Sequence, residues 1–115
     1  MKASDPILDS STIDELRSLG QDVVGEVISV FLDEGPRRLA EIEKAAANGD
    51  GEALWKSAHE LRSVASNLGA MRVAAVCDLL QDRGGIGALD DIGNVTGELR
   101  LELDLAREAI EQIVG

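Results

Sequence analysis

The chain has 115 residues, the length of one domain, and a globule of that size buries roughly two thirds of its unfolded surface, enough to fold without a disulfide or a metal. Its 44% hydrophobic and 29% charged residues are those of an ordinary folded domain. With 22 acidic against 11 basic side chains the formal charge is −11, which argues against nucleic acid and against direct contact with anionic membranes, since both ligands draw their binding energy from lysine and arginine.

No stretch of 18 or more apolar residues occurs, and the N-terminus carries no apolar run of the secretory kind, so a cytoplasmic location is expected. One domain over residues 1–115 is expected, with residues 1–10 as a loosely ordered lead-in. Thr12 with Glu15 three residues later forms a capping-box pattern, opening a short helix through Leu16 to Leu19 that is closed by Gly20 and lies as a lid over one end of the molecule. A second helix begins near Asp22 and carries Val24, Ile28, Phe31, Gly35, Leu39, Ile42 and Ala46 in steps of three and four, ending at Asn48-Gly49. Pro36 should bend it, and the apolar phase crosses the proline unbroken, which predicts one bent helix rather than two.

Asp50 is placed to cap a third helix that stops at Gly69. A fourth runs from Ala70 to Arg83 with Val73, Val76, Cys77 and Leu80 inward, which makes the lone cysteine a small buried hydrophobe. Gly84-Gly85-Ile86-Gly87 reads as a flexible loop. A fifth helix, from about Asp90 to Val114, buries Ile92, Val95, Leu99, Leu103, Ala106, Ile110 and Ile113, with Gly93 and Gly97 weakening its first turns. The predicted fold is all-α: an antiparallel up-down four-helix bundle with a short N-terminal capping helix.

The third helix carries the chemistry. At about 100° per residue, Leu54, Ala58, Leu61, Ala65 and Leu68 form one apolar stripe, and His59, the single histidine, points about 140° away from it. Trp55, Arg62, Ser63 and Ser66 share its side. A neutral imidazole is a competent nucleophile near neutral pH. Arg62, one turn on, disfavours the imidazolium by like-charge repulsion, and its guanidinium suits a phosphoryl group once one is bound. The chain has no glycine-rich phosphate loop with its lysine and nothing like a kinase catalytic loop, so a donor must come from another protein. The many carboxylates read as solvated helix faces, and no second histidine or cysteine cluster offers a metal site. Trp55 reads as a half-buried anchor or as a binding element, and Ser66 as a solvated filler or a phosphate contact.

The run from His59 through Leu61, Arg62, Ser63, Val64 and Ser66 to Gly69-Ala70 resembles the motif of histidine-containing phosphotransfer (HPt) domains, with a hydrophobic residue at +2, a cation at +3 and Gly-Ala at +10 and +11. Phe31-Leu32-Asp33-Glu34-Gly35-Pro36 resembles the family's second helix, and Asn48-Gly49-Asp50 its turn before the active helix. The resemblance implies a phosphorelay intermediate in which His59 takes a phosphoryl group on Nε2 from a receiver-domain aspartyl phosphate and passes it to another receiver aspartate. It implies stabilisation by Arg62, orientation of the ring by Gln81, 22 residues on, and partner contacts at Trp55, Ser63, Ser66 and Gly69. Response-regulator receiver domains and a hybrid sensor histidine kinase are the implied partners of a monomer without autonomous kinase activity. No cofactor of its own is implied, Mg2+ being supplied by the receiver. Arg62 stands where the family has lysine, and Ser63 where it has glycine, whose missing side chain lets a receiver approach. That second departure keeps open a non-catalytic docking module on the same bundle; a plain helical scaffold is the third reading.

Overall fold

The computed structural model describes residues 6–114, which form five helices and no strand. These are α1 (Ser10–Ser18), α2 (Gln21–Ala47), α3 (Gly51–Leu68), α4 (Met71–Gly85) and α5 (Ile92–Val114). α2 packs on α3, α3 on α4, α4 on α5, and α5 closes the ring on α2, the neighbour order of an up-down bundle with short connections. α1 lies across α2 and α3 with Ile13 buried, the lid expected. The predicted stripes form the core: Ile28, Phe31 and Ile42 of α2 meet Leu54, Leu61 and Leu68 of α3, Val73, Cys77 and Leu80 of α4, and Leu99 and Ile110 of α5.

Several local expectations need correction. α1 is not opened by Thr12 and Glu15. Asp9 is its N-cap, its carboxylate accepting from the Thr12 backbone N–H at 3.1 Å and from Thr12 Oγ1 at 2.7 Å, so the helix starts three residues before the capping-box pattern implied. The lead-in is tied down over its last residues: Ile7 and Leu8 pack on the core, and the Asp9 N–H donates to the Gly69 carbonyl at 2.9 Å. The part of that expectation covering residues 1–5 lies outside the described residues. α2 runs through Pro36 as one helix, and on its last buried turn Ala45 lies deeper than Ala46. Gly84 and Gly85 belong to α4, and Gly84 is buried, so only Ile86 and Gly87 of the glycine-rich run remain in the connection.

Glu102 corrects the reading of every carboxylate as solvated. It is 3% exposed on α5 and accepts from Arg72 of α4 at 3.0 Å. Its position in the helix repeat, next to Leu103 and three residues after Leu99, puts it on the inward face, where only a partner on the neighbouring helix makes a carboxylate tolerable.

Cys77 is fully buried, and burial pushes its thiol up to about 12. An unfolded thiol titrates near ~8.5, so the fold holds this proton to higher pH than the unfolded chain does. The associated stability is complete below about pH 8.5 and is lost as the pH rises toward 12, by up to about 1.4 kcal/mol per pH unit within that window. Urea midpoints are therefore expected to fall between about pH 9 and pH 11. The chain has no tyrosine to confuse the reading, and Cys77→Ala should flatten the fall; an equally steep decline in that variant would show that other groups cause it.

Candidate functional site

α3, which carries His59, is held at both ends. Asp50 caps its start, the side chain accepting from the Ala53 N–H at 3.0 Å, and Glu52 adds a favourable charge to the first turn. At its end Gly69 takes a left-handed φ of 81°, while the Ala70 N–H reaches back to the Ala65 carbonyl at 2.8 Å. A Cβ at Gly69 would stand 2.9 Å from Thr12 Cβ, so this glycine serves the turn and the α1 contact. Gly69 is buried, about ten residues or ~15 Å of helix from His59, and does not share its open face.

On the flank of α3, Arg38 of α2 bridges Glu34 and Glu41 of its own helix and Glu60 of α3. Arg38 and Glu34 are largely shielded from solvent, and the pair to Glu60 ties α2 to α3 one residue from His59.

A second contact fixes α3 against α4. A Cβ built on Gly51 would lie 2.6 Å from the Gly84 carbonyl oxygen, and one on Gly84 would lie 2.7 Å from the Gly51 oxygen and 3.1 Å from the Trp55 nitrogen. The two backbones therefore touch where any side chain would part them. Gln81 is one turn before Gly84, and this close approach brings it to His59.

His59 is exposed, and its Nδ1 lies 3.1 Å from Gln81 Oε1. A carbonyl oxygen can only accept, so the proton sits on Nδ1 and the Nε2 lone pair points away from Gln81. The indole of Trp55, 42% exposed, lies flat on the imidazole, with ring centroids 4.9 Å apart and planes 6° from parallel. This stack is absent from the sequence reading, although the i, i+4 spacing on one helix is its signal.

Arg62 is on the same side, and its Nε donates to Asp78 of α4. The cation is thus paired rather than simply facing the ring, and Asp78, one turn before Gln81, is a site neighbour the sequence reading missed. Ser63 is exposed one turn beyond His59, with its hydroxyl donating weakly to the His59 carbonyl at 3.4 Å. Ser66 is only half exposed and its Oγ is sealed from solvent without a hydrogen-bond partner, so its hydroxyl does not face outward with the ring. The structure therefore gathers His59, Gln81, Trp55, Arg62 and Ser63 on one face and leaves Ser66 beneath it and Gly69 away from it. Among the described residues no group of three or more His, Cys, Asp or Glu side chains could hold a metal ion, and no helix is long and apolar enough to cross a membrane.

The geometry is that of a helical bundle displaying one exposed imidazole held at Nδ1 by a side chain of the neighbouring helix. A family model described as the Hpt domain matches residues 26–112. The sensory/regulatory protein RpfC of Xanthomonas campestris pv. campestris, from two strains, is 35% identical over 107 residues, 91% of this chain and 14% of the relative, so the chain spans about one seventh of the curated relatives it matches. Among solved structures, the histidine-containing phosphotransfer protein B (HptB) of Pseudomonas aeruginosa PAO1 superposes with a TM-score of 0.86 at 26% identity, covering 95% of both chains. The chain belongs to the Hpt domain family, and its role is that of a phosphotransfer intermediate in a phosphorelay.

Proposed function

We propose that His59 is the phosphoacceptor, taking its phosphoryl group from a receiver-domain aspartyl phosphate and delivering it to the aspartate of a second receiver. The observation that carries this reading is the state of the ring: solvent-exposed, with Nδ1 engaged by Gln81 and Nε2 open. Nucleophilic attack needs the in-plane lone pair of a neutral nitrogen, and Gln81 selects the tautomer that places it on the outer nitrogen. Arg62 supports the phosphorylated state by leaving Asp78 for the phosphoryl oxygens, an exchange of one exposed charge partner for a more highly charged one. Receiver domains and a hybrid sensor kinase are the partners, the receiver contributes Mg2+, and the chain acts as a monomer with no cofactor of its own.

The test is incubation with a panel of receiver domains phosphorylated with 32P, in the presence of Mg2+. Transfer to this chain should give an acid-labile label, as expected of an N–P bond. Failure to take label from any receiver of the panel would remove the proposal.

Ser63 separates degrees of this reading. Its hydroxymethyl group stands on the open face beside the reactive ring, where a docking receiver must come close. Ser63→Gly is expected to speed transfer, because removing the hydroxymethyl group lets the receiver approach more closely. Ser63→Trp is expected to slow it far more while the circular dichroism spectrum and melting curve stay near those of the parent. Equal rates in all three chains would place the receiver on another face.

A further inference from the structure

Beyond the hydrogen bond that Nδ1 donates to Gln81, a second device acts on the imidazole. We infer that Trp55 is a positioning residue for phosphoryl transfer, holding the plane of His59 and stabilising the positive charge the ring acquires when Nε2 is phosphorylated. This deepens the function proposed above and rests on it.

The geometry is specific. Gln81 contacts the edge of the ring at Nδ1, and the Trp55 indole covers one of its two faces, at 4.9 Å between centroids and 6° between planes. Together they restrict both side-chain torsions of His59. The Nε2 lone pair lies in the ring plane, so a stack on the face leaves the line of attack open. Trp55 is itself held from behind: its backbone nitrogen faces Gly84, and a Cβ on Gly85 would meet its Cδ1 at 3.7 Å, so the α4 terminus backs the indole.

Charge accounting gives the stack a role in the reaction. As the Nε2 lone pair forms the N–P bond, the aspartyl O–P bond of the donor breaks and the carboxylate leaves with its electron pair. The Nδ1 proton stays in its bond to Gln81, so no proton moves and the ring passes from neutral to cationic. An indole face attracts a cation and has little preference for a neutral ring, so its contribution grows along the reaction coordinate. The Gln81 bond becomes charge-assisted in the same step. Trp55 thus acts on the transition state and the phosphorylated product more than on the resting site. Its exposure limits the effect to the modest end of cation–π energies, which corresponds to roughly 5-fold in rate.

Two measurements test this on the whole chain. Trp55 is the one tryptophan and there is no tyrosine, so intrinsic emission reports this indole alone. Phosphorylation of the parent chain by a phosphorylated receiver should quench that emission as the stacked imidazole becomes charged. The same treatment should leave the emission of His59→Gln unchanged. In stopped-flow transfer from a phosphorylated receiver, Trp55→Leu is expected to be about 5-fold slower than the parent, whereas Trp55→Phe, which keeps a π face, should recover most of that loss. Leucine as fast as tryptophan, or emission that stays constant while the parent takes up label, would overturn the role of the stack. A parent chain that takes no label at all would instead bring down the function and this inference together.

Discussion

Replacing His59 by glutamine is expected to reduce phosphoryl labelling to background while leaving the fold intact. The side chain is exposed, and the Gln81 hydrogen bond and the Trp55 stack that hold it both lie on the surface. Their loss should move the melting temperature by no more than a few degrees, in line with about ±0.5 kcal/mol for substitutions of this kind. The chemical loss follows because glutamine offers no basic in-plane nitrogen. The one thiol is buried and its ionisation is pushed up to about 12, and the remaining acids offer no route to a stable N–P bond. Circular dichroism and 32P transfer on the same preparation decide the matter: full labelling of the variant would move the acceptor to another residue. Gln81→Ala gives the graded counterpart, slower rather than silent, since it frees the tautomer without removing the nucleophile.

The second large effect is expected at Gly84. A valine there puts a β-carbon 2.7 Å from the Gly51 carbonyl oxygen and 3.1 Å from the Trp55 nitrogen. Both neighbours are backbone of a capped and packed helix, so relief cannot come from a side-chain rotation, and α3 and α4 must separate. Overpacking of this kind costs about 1–3 kcal/mol or somewhat more, and against backbone the upper end applies. A fall in melting temperature of roughly 10–15 °C follows for a domain of this length. The same displacement draws Gln81 away from His59, so transfer should slow even at temperatures where the variant is folded. Ordinary melting behaviour together with full transfer would show that the two helices tolerate a wider crossing than the structure has.

Both effects trace to residues whose meaning was unequally visible in the chain. His59 and its outward direction follow from helical period, since the stripe from Leu54 to Leu68 dictates which face is buried and hence which is not. The caps of α3 were equally local: Asp50 and Gly69 act through backbone groups within four residues of themselves. Thr12 was misread for a related reason. It does take part in a cap, but as the donor to Asp9, and choosing between two overlapping capping patterns depends on where the chain enters from Leu8.

The composition, helical period and capping residues were sufficient for an all-helical bundle with one displayed imidazole, because each depends on interactions within a few residues along the chain. The pairings Arg62 with Asp78, Arg72 with Glu102 and Gly51 with Gly84 depend on how far one helix is rotated and shifted against another, which side-chain packing across the interface sets. Gly84 shows the difference plainly: along the chain it is one of several glycines suggesting a loop, and in space it is the point where two helix backbones come close enough to bring Gln81 to His59.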